Sequence, residues 1–224
     1  MEKKINQSQT YDVRGLSFAG LAVQTFAASI ICQVIYLAIS ILSARILGPQ
    51  GKGILTVVIL YPTLLFTFGH LSIYRAITVN LAEKKFKFED FPASILYFTV
   101  FLSVILICVF IVCFFVFNKY FTKEANFLII MIALAITPCM MLLQAFYSIL
   151  QVKGKVFEFN LAQILHTALI LVFLFVLLVI FKAGVNGAVI AYSLAAFAAA
   201  LIAIGFVRKI SKETWKFNLK LLKT

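Results

Sequence analysis

The sequence predicts an all-α polytopic membrane protein, six transmembrane helices forming one bundle, and three observations predict it. Of its 224 residues, 63% are hydrophobic and only 12% are charged, where a soluble domain is roughly half apolar and about a quarter charged. So few charges cannot cover a water-facing surface. Apolar runs long enough to cross roughly 30 Å of hydrocarbon, about 20 residues as a helix, then recur along the whole chain. Those runs lack the alternation of apolar and polar residues that barrel strands need, and in lipid only helices and closed barrels satisfy their own backbone polar groups.

Residues 1–17 are polar, end in Tyr11-Asp12-Val13-Arg14 and read as a cytoplasmic N-terminal segment. The first span, 18–42, is too long for the core of a cleaved secretory signal, so it is a retained helix. The second and third are expected at 54–74 and 94–117, the fourth at 127–150, the fifth at 161–181 and the sixth at 188–207. Residues 18–207 are therefore one continuous membrane domain, since no connection is long enough to fold separately. Residues 208–224 form a basic cytoplasmic tail or linker, in which Trp215, Leu219 and Leu222 fall near one helical face among lysines, an arrangement suited to lying along a membrane surface. Pro62 and Pro138 lie inside the second and fourth spans, where each removes a backbone hydrogen bond and predicts a bend. The sixth span carries Ala188, Ala191, Ala195, Ala196, Ala198, Ala199 and Ala200, a surface of small side chains that predicts close helix packing, not a cavity wall.

Charge sets the orientation. Lys3, Lys4 and Arg14 precede the first span; Arg75, Lys84, Lys85 and Lys87 follow the second; Lys153 and Lys155 follow the fourth; and six more basic residues occupy the tail. The opposite side holds only Arg45, Lys52, Lys119, Lys123 and Lys182. Short basic loops resist translocation, so both termini are expected in the cytoplasm of a bacterial cell with the chain in its inner membrane. The net charge of +12 is the same bias, scattered over loops near anionic headgroups; it does not form the continuous patch that nucleic acid requires.

Little in the spans suggests catalysis or metal chemistry. Cys32, Cys108, Cys113 and Cys139 all lie within spans, without paired ligand spacing, and read as small packing residues with no disulfide. His70 and His166 lie on different spans with no carboxylate in either, so neither a metal nor a cofactor is expected. All eight acidic residues fall in loops or tails, whereas proton-coupled transporters usually place one within a span.

Uncharged polarity recurs instead at helical spacing. Thr25, Ser29, Cys32, Gln33, Tyr36 and Ser40 form one stripe on the first span, and Thr63, Thr67, His70 and Tyr74 another on the second. Thr137, Gln144 and Ser148 mark the fourth, and Asn160, Gln163, His166 and Thr167 lead into or line the fifth. Two readings are open. Such residues glue helices together by hydrogen bonds worth roughly 1 kcal/mol each, or they line a hydrated cavity that passes a polar, hydroxyl-rich substrate.

The stretch Ser43-Ala44-Arg45-Ile46-Leu47-Gly48-Pro49-Gln50-Gly51-Lys52-Gly53 resembles the A-R-x-L-G-P-x-G-x-G signature of the polysaccharide transporter branch of the multidrug/oligosaccharidyl-lipid/polysaccharide exporter superfamily. That branch includes the O-antigen and capsule repeat-unit flippases. Gly48, Pro49, Gly51 and Gly53 suit a tight exit from one helix and entry into the next, with Pro49 ending the first. Phe68-Gly69-His70-Leu71-Ser72-Ile73-Tyr74-Arg75 is similar to a second family pattern, with Leu71 where a second glycine is common. Leu150-Gln151-Val152-Lys153-Gly154-Lys155 and Gly184-Val185-Asn186-Gly187-Ala188 resemble the family's turns before the fifth and sixth spans, in the right order.

The resemblance implies a flippase that moves a polyprenyl-diphosphate-linked oligosaccharide between leaflets, and so a transporter with no enzymatic activity. Such transporters have twelve to fourteen spans in two bundles around a central cavity, so this chain resembles the N-terminal half: either it is a fragment or truncated gene product, or a second copy or a separate partner completes the pathway. Within it, Gln24, Gln33, His70, Gln144, Asn160, Gln163 and His166 are the cavity candidates, with Arg45 and Arg75 nearest the diphosphate at opposite ends of the path. A multidrug exporter of the same superfamily, or a non-transporting membrane subunit or truncated remnant, is the alternative. The loops are too short for a membrane glycan polymerase.

Overall fold

A computed structural model describes residues 18–69, 91–116 and 127–210. Every element among the described residues is helical: α1 (Phe18–Gly69), α2 (Phe91–Val116), α3 (Phe127–Leu134), α4 (Ile136–Val152), α5 (Val156–Phe175), which runs into a π turn (Val176–Ile180), and α6 (Gly184–Ile210). Four segments are long and apolar enough to cross a membrane, Ala19–Gly69, Phe127–Gln151, Val156–Ile180 and Gly184–Phe206, and Thr99–Phe114 is a shorter apolar helix. The expected N-terminal segment, residues 70–90 with the basic loop after the second span, and residues 211–224 of the tail lie outside the described residues, whereas residues 208–210, expected in the tail, continue α6.

α1 is two arms. Gly48 breaks it with φ 67° and ψ 178°, a region open essentially to glycine alone. Pro49 disfavours helical backbone at the residue before it and, lacking an N–H, begins the second arm well. The arms fold back on each other: Tyr36 and Thr63 line one cleft, whereas a straight helix would hold them roughly 40 Å apart. At the bend the Lys52 Nζ donates to the Ser43 Oγ at 2.7 Å, and Ser43 is fully buried. The turn between these helices is thus shorter than the 43–53 connection expected from sequence, and Arg45 and Lys52 stand on helix ends.

Pro62 and Pro138 behave differently. Pro62 lies inside the second arm, where Gly48 is the only residue of α1 with non-helical dihedrals. Pro138 coincides with a true interruption: the single span expected at 127–150 is split at Ala135. Proline has no N–H for the Leu134 carbonyl and its ring crowds that oxygen. Ala135 bonds back to the Ile132 carbonyl at 3.2 Å, and Ser193 of α6 donates to the same oxygen at 3.2 Å. A neighbouring helix thus supplies a partner at the break, as an apolar surrounding requires.

Packing follows the rule for lipid, where apolar contact alone does not drive helices together and small side chains let backbones approach. On α6 the residues Ala188, Ala191, Ala195, Ala199 and Ala203 are buried, while Ile190, Leu194, Phe197 and Leu201 form an exposed stripe at spacings of four, three and four. One cluster joins Ile39, Leu55 and Val58 of the two α1 arms to Ile170 and Leu174 of α5 and the alanines of α6. A second gathers Phe146 and Leu150 of α4 with Phe159 of α5 and Ala199 of α6. α2 joins the bundle through aromatic contacts, Tyr61 to Phe110 and Phe114 to Phe127, each with centroids 5.4 Å apart. Of the four cysteines, all free thiols, only Cys32 is buried; Cys139 is half-buried, and Cys108 and Cys113 are exposed and therefore not packing residues within this chain.

Candidate functional site

The first arm of α1 separates its two kinds of polar duty. Its packed seam is Ala28, Cys32, Ile39 and Ser43, all buried. Ser29, Gln33, Tyr36 and Ser40 sit one position further round, on a face that is exposed in this chain. Side-chain hydroxyls there mostly satisfy themselves locally. Thr25 donates to the Leu21 carbonyl at 3.1 Å and Ser29 to the Thr25 carbonyl at 2.9 Å. On the second arm, Thr63 donates to Ile59 and Thr67 to Thr63, each at 2.8 Å. These i to i−4 bonds spare the hydroxyl donor the cost of an apolar surrounding without tying helices together.

Interhelical gluing is confined to a few places among the described residues. The Asn160 Nδ2 donates to the Thr25 Oγ1 at 3.4 Å, joining α5 to α1. Tyr147 donates to the Ala162 carbonyl at 3.4 Å, and its ring meets Phe159 edge-on at 5.4 Å. Asn160 is buried, with its Oδ1 unpartnered. The gluing reading therefore suits Thr25 and Asn160, and gains no interhelical bond from Gln33, Tyr36 or Ser40.

Both arms of α1 meet α4, α5 and α6 around a cleft of about 190 Å³. Its polar lining is Tyr36 and Thr63 from the two arms, His166 from α5 and Tyr192 from α6; Phe66, Ile59, Ile136, Met140, Ile170 and Ala196 complete the walls. His166 is 8% exposed and Tyr36 is 42% exposed, so the imidazole lies deep and one tyrosine ring stands towards the outside. The lining includes no charged side chain among the described residues. It offers neutral donors and acceptors over aromatic and aliphatic walls, a surface for polar, uncharged groups.

Of the cavity candidates named from sequence, His166 lines this cleft, joined there by Tyr36 and Thr63 of the polar stripes. Gln33, Gln144 and Arg45 stand exposed elsewhere, Gln24 and Gln163 are half-buried outside its lining, and Asn160 belongs to the contact with Thr25. His70 and Arg75 lie outside the described residues. In the connection motif, Gly48 makes the bend, and a Cβ on Gly51 would come within 3.0 Å of the Leu47 Cβ and 3.4 Å of the Val185 Cγ2, so that glycine seats the bend against α6. Gly53 has open space around it and Pro49 opens the second arm. Sequence reasoning missed Tyr192, because its helix reads as a packing surface. The available signal was a lone phenol among alanines, placed to face inward beside Ala191 and Ala195.

The sequence model of a family described as "Polysaccharide biosynthesis protein" matches residues 21–224 of the chain. No curated protein and no solved structure matches it.

Proposed function

The chain belongs to the polysaccharide biosynthesis protein family, and from that premise we propose that it is a transporter: one lobe of a flippase that moves lipid-linked oligosaccharide repeat units across the cytoplasmic membrane. The observation that carries this reading is the polar face of α1. Among the described residues, Gln33, Tyr36 and Ser40 on the first arm make no interhelical hydrogen bond, and Thr63 and Thr67 on the second donate within their own helix, yet amide and phenol groups facing hydrocarbon are costly. A hydrated space beside them removes that cost. The two arms of α1, then α2, the broken α3–α4 pair, α5 and α6 would give six crossings, with both termini in the cytoplasm.

One such bundle supplies one wall. Alternating access in transporters built from repeated bundles is a rocking of one against another around a site near the midplane. A second copy of this chain or a separate six-helix partner would supply the opposite wall, leaving the polyprenyl tail in lipid while the sugars cross through water. Expression in a cell lacking its own repeat-unit flippase, with and without a C-terminal bundle from a full-length relative, tests the reading. Restored surface glycan in either arm supports it, and accumulation of the lipid-linked precursor in both, despite membrane-inserted protein, overturns it.

A further inference from the structure

The cleft between α1, α4, α5 and α6 shares Tyr36 and Thr63 with the polar face of α1 and adds His166 and Tyr192 to them. It is built inside a single bundle, its polar groups come from four separate places in the chain, and its deepest polar group is an imidazole more than nine-tenths buried. The described residues give no hydrogen-bond partner to the His166 ring or to the hydroxyls of Tyr36 and Tyr192. Thr63 uses its proton on the Ile59 carbonyl at 2.8 Å, which leaves its oxygen free to accept. Neutral histidine offers one donor and one acceptor, and each phenol offers both.

We propose that this cleft is a subsite for one uncharged sugar ring, so that Tyr36, Thr63, His166 and Tyr192 select neutral over acidic sugars in the glycan the chain handles. The inference rests on the reading that the chain handles glycans. Size argues for a single ring: about 190 Å³ is room for roughly six waters at about 30 Å³ each, which suits one ring and not a run of them. Lining argues for a sugar. Phe66, Tyr36 and Tyr192 bring aromatic surface to the lining, which suits the apolar faces of a pyranose, and the four polar groups suit the hydroxyls at its edge. Charge argues for neutrality, because a carboxylate entering here would be desolvated with no cation in the lining to meet it. Specificity of this kind is strong, since a site built to hydrogen-bond a hydroxyl rejects ligands that leave its buried groups unpaired.

The test uses the full chain in lipid nanodiscs and saturation-transfer NMR with three probes, glucose, N-acetylglucosamine and glucuronate. One or both neutral sugars should take up saturation, and glucuronate should do so at least about tenfold more weakly. Tyr192→Phe and Thr63→Val, each checked for monodisperse elution, should weaken the neutral signal about fivefold, the effect of one lost hydrogen bond. Leu194→Val on the outer stripe should leave it unchanged. Tyr192→Phe removes a single oxygen, so it stays informative if Thr63→Val fails to fold. Equal response to glucuronate, neutral binding indifferent to Tyr192→Phe, or no saturation by any probe would overturn the proposal. Binding with these properties in a chain that fails to restore glycan export sinks the flippase reading and leaves the site standing; export without such binding does the reverse.

Discussion

Gly48 occupies a backbone conformation, φ 67° and ψ 178°, that an L side chain reaches only at a cost of about 1–3 kcal/mol. The two arms of α1 meet α5 and α6 only because the chain turns there. Gly48→Ala should therefore lower the thermal unfolding midpoint in detergent, whereas Gly53→Ala, where an added Cβ meets nothing within 4 Å, should leave it equal or slightly raised. Equal losses in both variants would mean that the bend is not set by Gly48. The glycine-proline motif was legible in the sequence as a connection, but which glycine turns the chain depends on a dihedral that composition does not encode. Tyr192 was passed over for a different reason: the run of alanines marks its helix as a packing surface, and only the neighbouring helices show that the phenol opens on a cleft.

At the scale of the helix, hydropathy located the apolar runs and misjudged how they join. It placed eleven residues between the first two spans, where one glycine suffices, because Arg45 and Lys52 read as loop charges. Both sit on helical backbone at the bend, with Lys52 held by Ser43. It also read Glu158 as a loop residue, whereas it lies in the first turn of α5, where a negative charge favours the positive end of the helix. The polar stripe on the first arm was visible at its spacing, but its division into a packed seam and an exposed face required neighbours in three dimensions. If the exposed face borders water, a cysteine at Gln33 should react with a water-soluble thiol reagent at least about tenfold faster than one at Leu37, after removal of the native cysteines. Leu37 is 61% exposed on the same arm, so exposure alone predicts equal rates. Equal, negligible rates at both would place Gln33 in lipid and return the stripe to a purely structural role.

Across the whole molecule, among the described residues, large apolar side chains both fill the core, as Phe146, Leu150 and Leu174 do, and stand exposed on the outer helix faces, as Val34, Phe101, Val172 and Phe197 do, the arrangement of a body immersed in hydrocarbon. Fifteen of the twenty basic residues fall on the side assigned to the cytoplasm, and this asymmetry predicts the labelling pattern of single cysteines in intact cells. Thr122 should be reachable by an impermeant reagent from outside, and Phe86 and Asn218 only after permeabilisation; external labelling at Asn218 would invert the orientation. The central claim is that this bundle is one wall of a pathway for lipid-linked glycan, and a polar wall functions only when a second faces it. The most direct measurement is translocation of a fluorescent lipid-linked oligosaccharide in vesicles, with the purified chain reconstituted from below one copy per vesicle to several, alone and with a C-terminal bundle from a full-length relative. Translocation should be absent where vesicles hold single chains and should appear with paired copies or with the added bundle. Robust flipping by single chains, or none with any partner at any density, would contradict the account.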